Sequence, residues 1–446
     1  MSRHPHSYGP GSVKDHAARI KGQSSSSSSA HVPIYKQSLD AASSSSSAAA
    51  ATAAASSSSA AAASSAAADV PMSSIVVVPA STSRVEYIRF KGCKQFRERL
   101  VCATLSGRPI RIDEIRALDE QPGIRDFEAS FLRLLEKITN GCSIQINNTG
   151  TSLKYKPGLM IGGHILGLSH ACPVSRSIGY FLEPLLKLAL FSKKSLAITL
   201  TGITNDELDP SVDVVRTVSL QLLKKFVGED SEAVELKIKK RGAPPLGGGE
   251  VFLRVPVIKS LSPLNWTDEG LIKRVRGIAY TTKISPQMAN RLVDGARSIL
   301  NNLLPDVYIY TDHFKGKESG DSPGYGITLV AESTTGALMS AELVAKEGQV
   351  PEEIGSKTAE MLLEEVARGG VVDSAHQSLI LLLMILCPED VSKVRLGALT
   401  PYAVECLRLY KEMFGVTFKL KPDPTNNTVI ASCLGIGFKN ITRRIA

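Results

Sequence analysis

The sequence predicts an α/β (α+β) fold in which three repeated βαβαββ units form one large domain, interrupted by a smaller βαβββα domain. The first observation is a strand and helix pattern that recurs three times along the chain. A recurring pattern is a stronger fold signal than one periodic segment, because each copy contributes a sheet and its covering helices to a shared core. The second observation is the spacing, since the gap between the second and third copies is more than twice the gap between the first and second. This longer gap indicates an insertion.

The N-terminal residues 1–84 are predicted to form a disordered tail. From Ala41 to Ala68 every residue except Thr52 is alanine or serine. Such a segment has too few large apolar side chains to offset the entropy lost on ordering. A Ser/Ala-rich start also resembles an organellar transit peptide, but its length and its aspartates weaken that interpretation. We therefore expect the folded part to begin near residue 85.

The first unit contains a helix in FRERLVCATLSG, a strand in RPIRIDEIR and a second helix that opens at Pro122. The apolar side chains of that helix recur at helical spacing, which predicts one buried face. They are Ile124, Phe127, Phe131, Leu134 and Ile138. The strand SLKYKPG, from Ser152, closes the unit.

The second and third units repeat this order. The second has a helix in RSIGYFLEPLLKLALFS, a strand in SLAITLTG, a helix capped by Asp209 and Pro210 and ended by Gly228, and the closing strands ELKIKKRG and GEVFLRVPV. The third has a helix in SAHQSLILLLMILC, a strand in KVRLGALTP, a last helix, and the closing strands TFKLKPDP and NTVIASCLG. In the last helix Thr400 suits the N-cap, Pro401 the first turn and Gly415 the C-terminal residue.

The insertion is predicted between the second and third units. Its segments read as strand, helix, three strands and helix, from RGIAYTTKI to PEEIGSKTAEMLLEEVARG. This order is that of a minimal thioredoxin-like layer, although the missing CxxC argues against redox chemistry. The predicted domains are therefore residues 85–263 for the first two repeats, 264–370 for the small domain and 371–446 for the third repeat.

The composition limits the function. A net charge of +9 favours an anionic partner such as nucleic acid, although many basic enzymes share it. The seven cysteines form neither a CxxC pair nor a zinc-ligand spacing, so we expect free thiols and no metal site. The longest apolar run, LILLLMIL, is far shorter than the ~20 residues of a membrane span, so we expect no membrane association.

Basic residues supply the candidate RNA contacts. Each unit has a strand in which two lysines flank one apolar residue, so both lysines point to the same side. These pairs are Lys154 and Lys156, Lys237 and Lys239, and Lys419 and Lys421. They could follow an RNA backbone, or they could protect exposed strands from aggregation, and the sequence favours neither interpretation.

A denser basic run lies near the start of the folded part, in VEYIRFKGCKQFRERL. Its cations alternate with Phe90 and Phe96, which suits phosphate and base contacts, but a solvated helix end is an equal alternative. The cations are Arg89, Lys91, Lys94, Arg97 and Arg99. Arg408 and Lys411 on the last helix are further candidates, although Glu405 and Glu412 could simply pair with them.

Three other features are weak as catalytic signals. The loop GAPPLGGGEV lacks the GK[ST] ending of a phosphate-binding loop and reads as a tight turn. His376 and His313 could act as general acids or bases, but the sequence shows no nearby partner for either. Tyr402 lies in the first turn of the last helix, where backbone N–H groups favour anions.

Several separate motifs together carry a family resemblance. GRPIRIDEIRA, PGIR, GGGEV, VVDSAHQSLILLLMIL and TPYAVECLRLYKEMFG resemble the RNA 3'-terminal phosphate cyclase superfamily, and within it the eukaryotic cyclase-like branch. The resemblance extends from about residue 86 to the C-terminus. In true cyclases a histidine near the start of the last helix attacks ATP and carries AMP before passing it to the RNA 3'-phosphate. The resemblance places Tyr402 at that position.

Other positions also depart from the cyclase pattern. Ala375, Ser378 and Leu379 stand where the cyclases carry tyrosine, aspartate and glutamine, and KGCKQ replaces their glycine-rich loop. A phenol with a pKa near 10 is a poor substitute for imidazole as a reversible AMP carrier. These departures predict that Tyr402 occupies a former catalytic position, that there is no catalytic residue at this site and that no cofactor is bound.

The resemblance further implies a role in ribosome assembly. It indicates a non-catalytic nucleolar factor of the small-subunit processome that acts on pre-ribosomal RNA toward 18S rRNA, with a large processome GTPase and other processome proteins as partners. Two alternatives remain open. One is an endonuclease that cleaves pre-rRNA, in which Arg408 and Lys411 aid cleavage, and the other is an active ATP-dependent RNA 3'-terminal phosphate cyclase with a displaced nucleophile.

Overall fold

The computed structural model describes residues 86–162, 168–228 and 234–440. The predicted disordered tail, residues 1–84, lies outside them. Among the described residues no helix combines the length and the apolar character needed to cross a membrane.

The first part of the fold is a four-stranded sheet covered by two helices. Its elements are β1 (Ile88–Lys91), α1 (Phe96–Ser106), β2 (Ile110–Asp113), α2 (Asp126–Ile138), β3 (Thr139–Asn140), β4 (Ser143–Ile146), β5 (Leu153–Lys156) and β6 (Leu159–Met160). The sheet order is β1-β2-β5-β4, and β3 pairs separately with β6. Helix α2 begins at Asp126 rather than at the predicted Pro122, because the Glu128 carboxylate accepts a hydrogen bond from the Arg125 backbone N–H and fixes the first turn there.

The second part has the same layout. Its elements are β7 (Leu168–Ala171), α3 (Gly179–Ala189), β8 (Leu196–Gly202), α4 (Val212–Val214, the π-helical turn Val215–Ser219 and Leu220–Val227), β9 (Glu235–Lys240) and β10 (Gly249–Val255). The sheet order is β7-β8-β10-β9. Asp209 is not the N-cap of α4 as predicted, because the Ser211 Oγ accepts a hydrogen bond from the Val214 N–H at the start of the helix. The Asp209 carboxylate pairs with Arg176.

The inserted segment has the predicted element order. After β11 (Asn265–Trp266) come β12 (Ile272–Thr282), α5 (Gln287–Leu300), β13 (Val307–Phe314), β14 (Gly324–Ser333), β15 (Leu338–Val344) and α6 (Pro351–Arg368). The sheet order is β13-β12-β14-β15, with β12 and β13 parallel and the other pairs antiparallel. Helices α5 and α6 pack on one face of this sheet and form with it a hydrophobic cluster separate from the main core.

The third part completes the molecule. Its elements are α7 (Gln377–Leu386), β16 (Val391–Leu396), α8 (Pro401–Phe414), β17 (Lys419–Asp423) and β18 (Thr428–Leu434). Helix α8 has the predicted ends, since Thr400 Oγ1 accepts the Ala403 N–H and Gly415 has a φ of 74°. Helical spacing in the sequence predicts a buried stripe of Ala403, Leu407, Tyr410 and Phe414. Ala403 and Tyr410 are buried, but Leu407 and Phe414 are only partly buried, and Cys406, Leu409 and Met413 complete the buried face.

The three main sheets share one topology, and the predicted α/β fold class is confirmed. In each sheet the first two strands are parallel and the remaining pairs are antiparallel. The first strand of the third sheet is β11, which pairs with β16 although it falls inside the predicted 264–370 segment. The domain boundaries themselves stay a prediction.

The lysine-bearing strands are not equivalent. Strands β9 and β17 are the last strands of their sheets, whereas β5 lies between β2 and β4. The sequence does not predict β4, because SIQI has only four residues and most of them are exposed. The Lys154 and Lys156 strand therefore corresponds to β10 and β18 of the other sheets and not to β9 and β17. Protection of a sheet edge can explain the lysines of β9 and β17 but not those of β5.

Candidate functional site

Tyr402 lies in the first turn of α8, where the sequence resemblance places the former nucleophile. The residue is 36% exposed. Burial, together with nearby Cys406 and the carboxylates of Glu98 and Glu183, raises its pKa well above the usual 10. The phenol therefore stays neutral at pH 7 and is neither a good nucleophile nor a good leaving group.

Beneath α8 lies a buried ion cluster centred on Lys187 of α3. The Lys187 ammonium lies 2.6 Å from Glu98 Oε2 and 3.0 Å from Glu183 Oε1, and the side chain is 1% exposed. The Tyr410 hydroxyl of α8 donates to the other Glu98 oxygen at 2.6 Å. The cluster therefore joins α1, α3 and α8, which come from all three parts of the main fold.

The cluster continues through two arginines. Arg97 lies 3.0 Å from Glu183, donates to the Tyr180 carbonyl at 2.7 Å and stacks on the Tyr180 ring. Arg176 pairs with both oxygens of Asp209 at 2.6 Å. Three cations thus face three carboxylates. The cluster therefore has no net positive charge with which to bind a nucleoside triphosphate. Arg97, predicted as an RNA contact, belongs to this internal cluster through partners that are distant in sequence. Its contact with RNA stays a prediction.

His376 has the partners that the sequence did not reveal. Its Nδ1 lies 2.6 Å from Asp373, three residues earlier, and its Nε2 lies 2.8 Å from Ser219 Oγ. The Ser219, His376 and Asp373 side chains are arranged like a Ser-His-Asp triad. Ser219, however, lies in the middle of helix α4 rather than on the exposed turn that a nucleophilic serine needs. All three side chains are buried, so the arrangement joins α4 to α7 structurally. His313 also has a partner, the Thr281 hydroxyl at 2.7 Å.

The contact between His376 and Asp373 predicts a pH dependence of stability. Burial lowers the pKa of His376, but Asp373, with smaller effects of Glu183 and Glu342, outweighs burial and raises it above 6.5. The stability that this histidine contributes is therefore present below pH 6.5 and lost as the pH rises through its folded pKa. In an Asp373→Asn variant burial should dominate, and the NMR titration of the His376 imidazole should move below pH 6.5.

His170 provides the internal control for that titration. Burial, with Lys137 and Arg133, lowers its pKa to about 4, and its partner is Ser130 rather than Asp373. Its titration should not change in the Asp373→Asn variant. A His376 titration that also stayed in place would show that Asp373 does not hold its proton.

The outer face of the first sheet carries a row of cations. Arg89 of β1 pairs directly with Arg111 of β2, which pairs with Lys154 of β5. Neighbouring Ile110, Ile112 and Leu153 point into the core, so the three cations point outward. Asp113 is the carboxylate next to this row, 2.8 Å from Arg111. Like charges opposite each other destabilise a sheet, so this row favours an anionic ligand rather than stability.

The third sheet has a comparable outer face. Lys393 of β16 and Lys419 of β17 both pair with Ser432 of β18. Arg395 and Lys421 likewise both pair with Ile430. Asp423 neutralises Arg395 at 2.7 Å. This face therefore also presents an excess of positive charge.

The other predicted residues have varied surroundings. Four of them pair with carboxylates: Lys91 with Glu114 at 2.8 Å, Lys94 with Glu405 at 3.7 Å, Lys237 with Glu235 at 2.7 Å and Lys239 with Glu250 at 2.8 Å. Arg99 donates to the Gly92 carbonyl at 2.8 Å and lies over the Phe90 ring, and its contact with RNA stays a prediction. Lys156, Arg408 and Lys411 are exposed.

Sequence reasoning missed Arg111, Lys393 and Arg395. Each alternates with buried residues on the second strand of its sheet. The signal was present in RPIRIDEIR and KVRL, but only the pairing of strands shows that these cations lie beside those already named. Within the described residues no group of three or more His, Cys, Asp or Glu side chains could hold a metal ion.

The fold and the site together define an α/β protein with basic outer sheet faces and a charge-balanced cluster under its last helix. Residues 88–420 match the model of a family described as RNA 3'-terminal phosphate cyclase, so the chain belongs to that family. It is 55% identical to a mouse RNA 3'-terminal phosphate cyclase-like protein, over 80% of this chain and 98% of the relative. It is 48% identical to an rRNA processing protein of Schizosaccharomyces pombe, over 80% and 98%, and 40% identical to one of Saccharomyces cerevisiae, over 82% and 100%.

Proposed function

We propose that the protein is a non-catalytic ribosome-biogenesis factor of the small-subunit processome that binds pre-ribosomal RNA during its processing toward 18S rRNA and 40S subunits. The names of the two yeast relatives as rRNA processing proteins support this role. The proposal includes a large processome GTPase and other processome proteins as partners, and action in the nucleolus of the nucleus.

The cation row on the first sheet carries the RNA-binding part of the proposal. Arg89, Arg111 and Lys154 lie on three neighbouring strands, and Asp113 neutralises only part of their charge. Because β5 is not an edge strand, protection against aggregation does not account for Lys154. A phosphate backbone supplies the negative charge that would make this arrangement favourable.

The absence of catalysis is proposed from the site under α8. Tyr402 has a raised pKa and stays neutral, and Arg97, the cation that acts on it, is already paired with Glu183. Lys187 of the same cluster is likewise paired with carboxylates. A nucleotide would have to compete with these internal partners for every positive charge of the cluster.

An endonuclease acting on pre-rRNA is the second candidate. It is favoured by Arg408 and Lys411, which are exposed near each other on α8 and could stabilise a cleavage transition state. Incubation of the full chain with a pre-rRNA fragment, beside an Arg408→Ala/Lys411→Ala variant, tests it. Cleavage of the RNA by the unmodified chain and not by the variant would favour the endonuclease over the non-catalytic factor.

The RNA-binding proposal predicts a change in salt dependence. An Arg89→Gln/Arg111→Gln/Lys154→Gln variant should bind RNA more weakly, because up to three phosphate contacts are lost. The slope of log K against log salt should fall in magnitude by roughly two to three for these contacts. Fluorescence anisotropy with a labelled RNA over a series of salt concentrations measures both quantities.

The matched control replaces lysines that are already paired. Lys237→Gln/Lys239→Gln removes cations that contact Glu235 and Glu250 on the second sheet, and it should change the slope much less. Circular dichroism checks that each variant is folded. An unchanged slope in the triple variant would refute the role of the first sheet.

Catalysis is tested separately with α-phosphate-labelled ATP and an RNA that ends in a 3'-phosphate. We expect no covalent label on the protein and no cyclised RNA end, while an active cyclase run in parallel gives both. A protein-bound AMP that is released by acid would contradict the non-catalytic proposal and support an active cyclase with a displaced nucleophile.

A further inference from the structure

An exposed pair of tyrosines lies on the inserted segment. Tyr308 and Tyr310 are alternate residues of β13, so they share one face of the sheet. They are 50% and 56% exposed, and their ring centroids are 4.5 Å apart in an edge-to-face arrangement. Two large rings left in water on one strand are unusual enough to need a reason.

The fold leaves this part of the sheet open. Helices α5 and α6 cover the opposite face, toward which Val307 and Ile309 point. On the tyrosine side, the far half of the sheet contacts the main fold, since Ser340 donates to Asp373 and Glu342 accepts from the Ser211 N–H. Farther along the same face, Asp312 and Tyr280 contact Arg241 of the main fold. The open surface is thus a strip around Tyr308, Tyr310 and Arg276.

Cations line this strip. Arg276 of β12 pairs directly with Tyr308, and its guanidinium is held by Asp306 at 2.8 Å. Arg274, on the same side of β12, and Lys273 both contact Glu332. Arg276, Arg274 and Lys273 therefore stand beside Asp306 and Glu332, while Asp312, farther along the same face of β13, is paired with Arg241. The strip has a positive balance.

We propose that Tyr308 and Tyr310 form a stacking platform for unpaired bases of a single-stranded RNA segment. This inference rests on the proposed RNA-binding function and assigns a second, distinct contact to it. Aromatic side chains on an open sheet face bind splayed bases by stacking, and Arg276 lies where it can contact the backbone beside them.

The test compares variants that differ only in the aromatic ring. Tyr308→Leu/Tyr310→Leu removes both platforms, whereas Tyr308→Phe/Tyr310→Phe keeps the rings and removes the hydroxyls. Binding of the full chain to a labelled 12-nucleotide single-stranded RNA is measured by anisotropy, beside an abasic oligomer of equal length and a duplex RNA. Thermal unfolding by circular dichroism confirms that both variants are folded.

The expected result is a loss that depends on unpaired bases. The leucine variant should bind the single strand roughly tenfold or more weakly, while its binding to the abasic and duplex probes and its salt slope stay unchanged. The phenylalanine variant should bind all probes like the unmodified chain. The salt slope separates this contact from the cation row, because the triple glutamine variant lowers the slope on every probe.

Two results would overturn the proposal. Equal single-strand binding by the leucine variant and the unmodified chain would exclude the platform, and a loss of protein partners from purified processome particles in that case would identify a protein-docking surface instead. An equal loss on the abasic probe would show that the tyrosines do not contact bases. Failure of all RNA binding in the unmodified chain would instead refute the proposed function.

Discussion

Replacing Lys187 with methionine is expected to lower the free energy of unfolding by about 3–5 kcal/mol. The Lys187 ammonium is 1% exposed and contacts both Glu98 and Glu183. Its removal leaves Glu98, which is 3% exposed, with the Tyr410 hydroxyl but without its positive partner. Leaving one member of a buried ion pair unpaired costs far more than replacing both members with neutral groups.

The same variant should change the acid dependence of stability. Burial raises the pKa of Glu183, but Lys187 and Arg97 outweigh burial and hold it at about 2. A carboxyl whose folded pKa is below its unfolded value of 4.5 contributes stability that is present above pH 4.5 and lost as the pH falls toward 2. Lys187→Met removes part of this effect. The difference in the free energy of unfolding between the variant and the unmodified chain should therefore shrink as the pH falls from 4.5 toward 2.

Equilibrium urea unfolding of the full chain, followed by circular dichroism at several pH values, measures both effects. The matched control is Lys193→Met, an exposed lysine just after α3, which should change stability by no more than about 0.5 kcal/mol. Adding Glu98→Gln to Lys187→Met should recover part of the loss, because the unpaired charge is then gone. A cost near zero for Lys187→Met would show that the cluster does not hold the three helices together.

Arg241→Leu is expected to have a similar cost, about 3–5 kcal/mol. Arg241 is fully buried at the contact between β9 and the inserted segment. Its guanidinium binds Asp213 of α4 at 2.6 and 2.8 Å and Asp312 of β13 at 3.1 Å, and it lies over the Tyr280 ring. Burial raises the pKa of Asp213, but Arg241 outweighs burial and lowers it, so the variant leaves a buried carboxylate unpaired.

A local measurement separates this role from general stability. The Arg241 backbone N–H and carbonyl both bond to the segment near Glu318 and Gly320. Loss of the buried guanidinium should loosen this contact, so that a lysine-specific protease cleaves at Lys315 and Lys317 more often. Arg241→Lys keeps the charge but loses the bidentate geometry, so its rate of cleavage should lie between those of the unmodified chain and Arg241→Leu. Arg291→Leu, which breaks an exposed pair with Glu352, is the control and should cost at most about 1 kcal/mol.

Much of the fold could be predicted because the elements carry local signals. The capped helix from Thr400 to Gly415 and the element order of the inserted segment follow from caps and periodicity alone. β4 was missed because it has only four residues, most of them exposed, and β11 because two residues leave no periodicity at all. β4 pairs with the nearby β5, whereas β11 forms only because β16, distant in sequence, supplies its hydrogen bonds.

The site was harder to predict for the same physical reason. Arg97 and Arg99 look like surface cations in FRERL, yet Arg97 is held by Glu183 and Tyr180, more than eighty residues away. Arg111 was overlooked because a single arginine on a strand does not indicate a binding site. Only strand pairing shows that Arg89 and Lys154 lie beside it. Charge alone therefore did not distinguish cations that hold the core from cations that face outward.

The position of β11 has a consequence for the order of folding during synthesis. Trp266 leaves the ribosome before the whole inserted segment, but its strand partner Val394 leaves after it. Loop closure adds only about 0.6 kcal/mol for each doubling of length, so this separation costs little stability. It does delay pairing, because contacts between distant residues form slowly. The third sheet is thus completed last. Helix α8, which lies between β16 and β17 in the chain, brings Tyr410 to Glu98, so every other helix of the described residues has left the ribosome before the central charges are sealed from water.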